Sequence, residues 1–427
     1  MFTLIKCGRL FDGESSEMLS DMQILIADGI ITEIGRKVSI PENTEVIDLC
    51  DSFVTPGLID AHVHPEFFDW HHVYNNYAGL SDETMALATL HTAQESLKRG
   101  FTSLRVLGSL SRSYGLVDVK RAIDAGYFDA ARLVVSPHGI TVTGGHGDLS
   151  RQLHMHPMLS GILQIPSAGS GADFFAEQVR REIKYGADFI KLLVSGGFSS
   201  ELDSPDAQEF TDAELAAIFE TAKSMNKPVT AHAYSPHVIQ KLIRLGVSGI
   251  EHGSMMDEET ARMMEDNDVY LVGTFSPFDK LLFPGKIETN EQPVRIREKL
   301  HFYAEKLRAG RDVILKSNVR LGFGSDNVSV RQNYESAYEY AALLRSGITP
   351  LRALRAATSV NADILGRGDE LGQLKPGRVA DIAAWPLNLL ENQNALFDCR
   401  FSMKAGKKIT MPTERYCPET RKDLYAR

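Results

Sequence analysis

Residues 54–65 read VTPGLIDAHVHP, and the fold turns on what this stretch is. Its centre, GLIDAHV, is short, apolar and bounded by prolines, the signature of a buried strand. Its histidines, His62 and His64, are two residues apart, so both side chains leave the strand on one face. Seven further runs of the same kind follow: FTSLRVLG, RLVVSPH, DFIKLLV, KPVTAHA, VSGIEHG, DVYLVGTF and VRLGFGSD. Their interiors are continuously apolar rather than alternating, as parallel strands covered on both faces require. Between them lie helical segments such as DAELAAIFETAKSM, preceded by Thr211 with Glu214 three residues on, a capping box. Eight strands alternating with helices over residues 56–370 predict a closed (β/α)8 barrel of the TIM type. A doubly wound open sheet is disfavoured because no Gly-rich fingerprint follows the first strand.

The two chain ends read differently. TLIKCGRLFDG, DMQILIADGIITEIG and TEVIDLCDSFVTPG are β-branched runs cut by Gly, Asp and Pro, with a hairpin turn at Asp28-Gly29. Short strands return in VADIAAWP and FSMKAGKKI. Residues 1–55 and 371–427 are therefore expected to form one small β-sandwich domain beside the barrel.

Composition sets the class. Of 427 residues, 43% are hydrophobic and 24% charged, ordinary for a globular protein. A net charge of −10 argues against a nucleic-acid binder. No apolar run approaches the roughly 20 residues that span a bilayer. The start, MFTLIKCGRLFDG, lacks the basic, apolar and small-residue regions of a signal peptide. Cys7, Cys50, Cys399 and Cys417 show no paired spacing and read as reduced thiols. The expectation is a cytoplasmic protein with no nucleic-acid or membrane partner.

In a barrel, functional residues stand at the carboxyl ends of the strands. Here those positions hold His62 and His64 on the first strand, Lys191 on the fourth, His232 on the fifth, His252 on the sixth and Asp326 on the eighth. Two neutral imidazoles converging from one strand suit zinc, and His232 with His252 can form a second pair. A lone strand histidine is usually a satisfied core residue, but four of 13 histidines at matching strand ends are not explained that way. Lys191 has two readings. It is a snorkelling or ion-paired lysine, or a desolvated neutral amine that reacts with carbon dioxide to give a carbamate with two ligand oxygens.

This set of residues resembles the amidohydrolase superfamily, and more closely its prolidase-like branch of Xaa-Pro and Xaa-Arg dipeptidases and N-acyl-amino-acid hydrolases. The likeness is carried by VTPGLIDAHVHP, ITVTGGHGD, GADFIKLLVSGG, VTAHAYSP, GVSGIEHGS, LGFGSD, ATSVNADILG and LGQLKPGRVADIAAW. The resemblance implies two divalent metal ions, zinc by preference. His62, His64 and Asp326 would bind one, His232 and His252 the other, and a carbamylated Lys191 would bridge them. It also implies that His146 of TGGHGD and Tyr234 of AHAY contact a small-molecule substrate, a dipeptide or N-acyl amino acid, in a homo-oligomer. A metal-bridging hydroxide would attack the amide carbonyl, with Asp326 carrying its proton to the leaving amine.

Some features depart from that pattern or fall outside it. Relatives carry an acidic residue after the arginine of the second strand, where Arg105 is followed here by Val106. The stretch from Asp148 to Gly171 has no clear counterpart, and its His154 and His156 read as loop histidines rather than a third metal site. Both departures are expected at the barrel mouth, where they bear on substrate choice. Gly196-Gly197 fits a close backbone approach there. In the following FSSELDSPDAQEF, Glu201, Asp203 and Asp206 read as solvating charges rather than a selector for a basic substrate. The same metal site could act instead on a urea, carbamate, lactone or organophosphate. A catalytically silent barrel serving assembly would be expected to have lost ligands, and all six are present.

Overall fold

The computed structural model describes residues 1–67, 80–148, 150, 164–200, 203–279, 294–328 and 336–411. His154, His156, Glu201 and Cys417 lie outside them. The fold is the expected barrel with a separate β layer from the chain ends. That layer is a 7-stranded sheet of β1 (Phe2–Leu10), β2 (Leu19–Ala27), β3 (Ile30–Gly35), β4 (Glu45–Pro56) and, from the far end of the chain, β14 (Ile382–Trp385), β15 (Phe401–Lys404) and β16 (Lys407–Lys408). Asp28 (φ 49°) and Gly29 (φ 83°) both turn left-handed in the β2–β3 hairpin, as a two-residue turn matching strand twist requires.

The barrel strands are β5 (Leu58–Val63), β6 (Phe101–Ser109), β7 (Arg132–Val142), β9 (Ile190–Leu193), β10 (Val229–Ala233), β11 (Gly249–His252), β12 (Tyr270–Val272) and β13 (Leu321–Gly322), with the short β8 (Ala168–Gly169) paired outside the ring to β7. These are the eight runs read from the sequence. Each neighbour pair is parallel. Thr211 caps the helix Asp212–Ser224 in the anticipated box with Glu214. Among the described residues no helix is long and apolar enough to cross a membrane.

Closure between the eighth strand and the first positions the site. Ala61 N–H donates to Phe323 O (2.9 Å), Asp326 N–H to His62 O (2.8 Å) and His64 N–H to Asn327 O (2.6 Å). Two buried side chains stitch the seam from below. Asn361, just after a wide π-type turn at Ala356–Val360, donates to Ile59 O and Phe323 O (both 2.7 Å) and accepts from Phe323 N–H. The carboxylate of Asp60 accepts from Ser325 Oγ (2.6 Å), Ser336 Oγ (2.8 Å) and the N–H groups of Ser325 and His62. Asn361→Ala would remove the acceptor of the buried Phe323 N–H and one donor each from Ile59 O and Phe323 O, and a buried group left unpaired costs about 1–3 kcal/mol. We expect a loss of roughly 2–5 kcal/mol in denaturant unfolding, and a variant within 0.5 kcal/mol of wild type would remove this role for the seam.

Candidate metal centre

Every strand-end residue singled out above reaches one region. His62 Nε2 and His64 Nε2 lie 3.3 and 3.6 Å from the same oxygen of Asp326. Ring centroids are 5.0 Å apart for His62 and His252 and 4.6 Å for His232 and His252. One ligand atom each from His62, His252 and Asp326 falls within a common 4.8 Å.

Hydrogen bonds assign the ring nitrogens. His62 Nδ1 donates to Glu251 Oε2 at 2.7 Å, and His64 Nδ1 to Gly108 O at 3.2 Å. His232 Nε2 donates to Gly196 O at 3.3 Å, and His252 Nδ1 pairs with Thr274 Oγ1 at 2.7 Å. His64, His232 and His252 are each held through one nitrogen, as metal-binding histidines are, whereas His62 is engaged at both, by Glu251 and Asp326, which raise it against burial. Burial draws His64 down to about 4, against Asp326, and draws His232 and His252 well below the ordinary histidine value with help from neighbouring cations. The three rings are therefore neutral at pH 7, as ligation requires. His62, His252 and Asp326 bring one ligand atom each close enough to hold a divalent ion.

Lys191 is 2% exposed. Burial brings its ammonium down to about 8, while Glu251 and Asp326 pull it up. Among the described residues its Nζ makes no hydrogen bond or ion pair. Tyr234 stacks on His252 (centroids 5.2 Å, 18°) and His146 on His232 (4.7 Å, 28°), so both flank the second imidazole pair. Burial holds the Tyr234 phenol well above its ordinary value, and it stays a donor.

Glu251, which the sequence reading passed over, lies beneath the ligands. It accepts from His62, from Arg105 Nη1 (2.8 Å) and from Thr230 Oγ1 (2.6 Å) and has no exposure. Burial opposes its charge, yet Arg105 and His62 hold it well below the carboxylate range. Val106, the departure expected at the mouth, is instead a fully buried core residue of β6, next to Arg105. Arg105 is buried below the histidines, bonded also to Tyr270 OH (2.7 Å) and lying 4.1 Å over Phe189. A second expectation fails at Asp203. Its side chain is 6% exposed and bonds His146 Nδ1 at 2.8 Å and Lys299 at 3.1 Å, so the charge is spent internally. Asp206, paired to Lys306, is partly exposed as a solvating residue should be. The only sequence signal for Glu251 is an acid inside an apolar strand next to a ligand histidine, and for Asp203 there is none.

Parallel strands whose carboxyl ends present imidazoles, a carboxylate and a desolvated lysine define a hydrolase barrel. The profile of the amidohydrolase family matches residues 53–409, and the chain belongs to that family. It is 29% identical over 415 residues to ochratoxinase of Aspergillus niger, covering 91% of this chain and 82% of that one. A solved Xaa-Pro dipeptidase with methionine bound in its active site matches with TM-score 0.81 and 27% identity over 96% of this chain and all (100%) of its own. A prolidase complexed with N-methylphosphonate-L-proline matches with TM-score 0.82 and 27% identity over 96% and 100%. The likeness to the prolidase-like branch read from the sequence therefore holds.

Two outcomes follow from this geometry. Glu251→Gln should weaken metal retention about 10–100-fold in chelator competition, because His62 loses its anionic partner. Unchanged retention would show that Glu251 does not orient His62. Glu339 holds the loop beside Thr274, accepting from the N–H groups of Phe275 (2.8 Å) and Ser276 (2.6 Å). Burial pushes its carboxyl up to about 8, so the folded state binds a proton that the unfolded state releases near 4.5. Its contribution is complete below pH 4.5 and is lost as pH rises through about 8. Melting temperature measured across this window should fall in wild type and fall less in Glu339→Gln.

Proposed function

We infer that this protein is a metal-dependent amidohydrolase that cleaves the amide bond of dipeptides or N-acyl amino acids. The observation that supports the reading is the approach of His62, His64, Lys191, His232, His252 and Asp326 to one another at the strand ends. His62, His64 and Asp326 would hold one divalent ion, zinc by ligand chemistry, and His232 and His252 a second, with Lys191 as a carbamate shared between them. Such ions supply Lewis acidity and ionise water near neutral pH. Asp326, kept ionised against burial by His62, His64 and Lys191, accepts the proton of the attacking water and returns it to the leaving nitrogen. His146 and Tyr234 share two tasks, polarising the scissile carbonyl and holding the terminal carboxylate. The substrate class is supported by the likeness to a Xaa-Pro dipeptidase and a prolidase.

Elemental analysis run beside a screen of dipeptides and N-acyl amino acids tests the reading. About two metals per chain with turnover of a subset supports it. Two metals with turnover only of ureas, carbamates or esters moves the activity to non-peptide bonds. Asp326→Asn should keep the fold and at least one metal yet lose about 10²–10⁴-fold in kcat. A variant within a few-fold of wild type would sink the proton-shuttle role. Metal-stripped enzyme should recover more activity with zinc and bicarbonate than with zinc in carbon-dioxide-free buffer, and equal recovery would remove the carbamate.

A further inference from the structure

His146 is clamped from several sides. Its Nδ1 bonds Asp203 Oδ2 at 2.8 Å and lies 3.3 Å from Ser200 Oγ. One ring face stacks on His232. The backbone of Gly197 is so close that a Cβ there would sit 2.3, 2.6 and 2.9 Å from ring atoms Cε1, Nε2 and Nδ1. Its own N–H donates to the Glu209 carboxylate at 2.9 Å.

Asp203 is itself anchored. Its other oxygen accepts from Ser200 Oγ and from Lys299 Nζ at 3.1 Å. Lys299, on the helix Val294–Lys316, donates also to the carbonyls of Gly197 (2.9 Å), Ser200 (2.6 Å) and Asp203 (2.6 Å). Three ammonium protons facing four acceptors leave none for a substrate carboxylate. Lys299 thus acts as an anchor for the loop and not as a substrate receptor. With only 6% of its side chain exposed, Asp203 is more buried than a residue that merely solvates a loop. An ionised carboxylate can only accept, so Nδ1 of His146 is the donor and Nε2 the nitrogen left over. Among the described residues Nε2 has no hydrogen-bond partner.

We propose that Asp203, anchored by Lys299, is a positioning residue for the reaction, holding Nδ1 of His146 as the donor and presenting Nε2 to substrate bound beside His232. The proposal rests on the reading of His146 as a substrate contact. It follows the logic by which a carboxylate fixes the tautomer and orientation of a catalytic imidazole.

The test uses the metal-loaded enzyme and whichever amide, ester or urea the wild type turns over. Asp203→Asn can offer Nδ1 an N–H instead of an acceptor, so the ring loses its preferred tautomer. We expect kcat/KM to fall about 10–100-fold with metal content unchanged. The double variant Asp203→Asn/His146→Ala should be no worse than His146→Ala alone, because the two residues act as one unit. Gly197→Ala, which displaces the ring without altering the charge, should show a similar loss. A readout independent of substrate is the low-field proton resonance of an Nδ1–H held by a carboxylate, present in wild type and lost in both Asp203→Asn and His146→Ala. Additive losses in the double variant, Asp203→Asn within three-fold of wild type, or a resonance that survives Asp203→Asn would each overturn the proposal. If no dipeptide or N-acyl amino acid is cleaved while another substrate class gives the expected cycle and resonance, the substrate reading fails and the positioning role stands.

Discussion

The buried ion pair between Arg105 and Glu251 is the contact on which the rest of the centre depends. Glu251 has no solvent exposure, and a lone carboxylate there would carry a desolvation penalty of several kcal/mol. The charge is tolerable because Arg105 of β6, Thr230 of β10 and His62 of β5 all donate to it. Arg105 in turn reaches the Ala61 carbonyl at 3.2 Å and Tyr270 at the start of β12. The Arg105–Glu251 pair therefore links five strands beneath the imidazoles, four through the carboxylate and the fifth through Arg105. Its negative charge also steadies Lys191 against burial, while Arg105 pushes the other way. The result is a lysine lowered to about 8, which gives up its proton far more readily than a solvent-exposed one.

Glu251 and His252 are adjacent, and regular strand alternation would send them to opposite faces. Both nevertheless serve the same interior. The backbone resolves the conflict at His252, whose φ is 72°. The next two strand ends do likewise, with Thr274 at 44° and Asp326 at 56°. Non-glycine residues held this way cost of order 1–3 kcal/mol each and persist only where surrounding contacts fix them. Here those contacts are the Thr274–His252 bond, the Asp326–His62 backbone bond and the seam below. Strain sits at two candidate ligands, His252 and Asp326, and at Thr274, which holds the first of them.

This explains which parts were legible in the sequence. The eight strands, the turn at Asp28-Gly29, the Thr211 cap and the strand-end histidines follow from local periodicity and residue type. Glu251 was not visible, because an acid in an apolar run announces burial only when its partner, 146 residues away in Arg105, is known. The departure at Val106 was expected at the mouth for the same reason, whereas Val106 is buried in β6. Asp203 sits among Glu201 and Asp206 in a stretch that looks solvated. Only the long-range contact with Lys299 distinguishes it, and residue type gives no hint of that pairing.

The outer partners of the imidazoles also separate two layers of the protein. His62, His64, His232 and His252 are each oriented by an atom on a barrel strand or just beyond its end, from Glu251, Gly108, Gly196 and Thr274. Their geometry is set once the barrel closes. His146 is oriented differently, by the loops after β7 and β9 and a lysine from the helix before β13. Changes in those loops can therefore move the His146 ring without disturbing the strand-end imidazoles. Gly197 and Gly196 mark the boundary between the layers, since a Cβ on the first would meet His146 and on the second Ser204, while the Gly196 carbonyl holds His232. The loop layer above this boundary can then vary while the strand-end imidazoles beneath it keep their geometry.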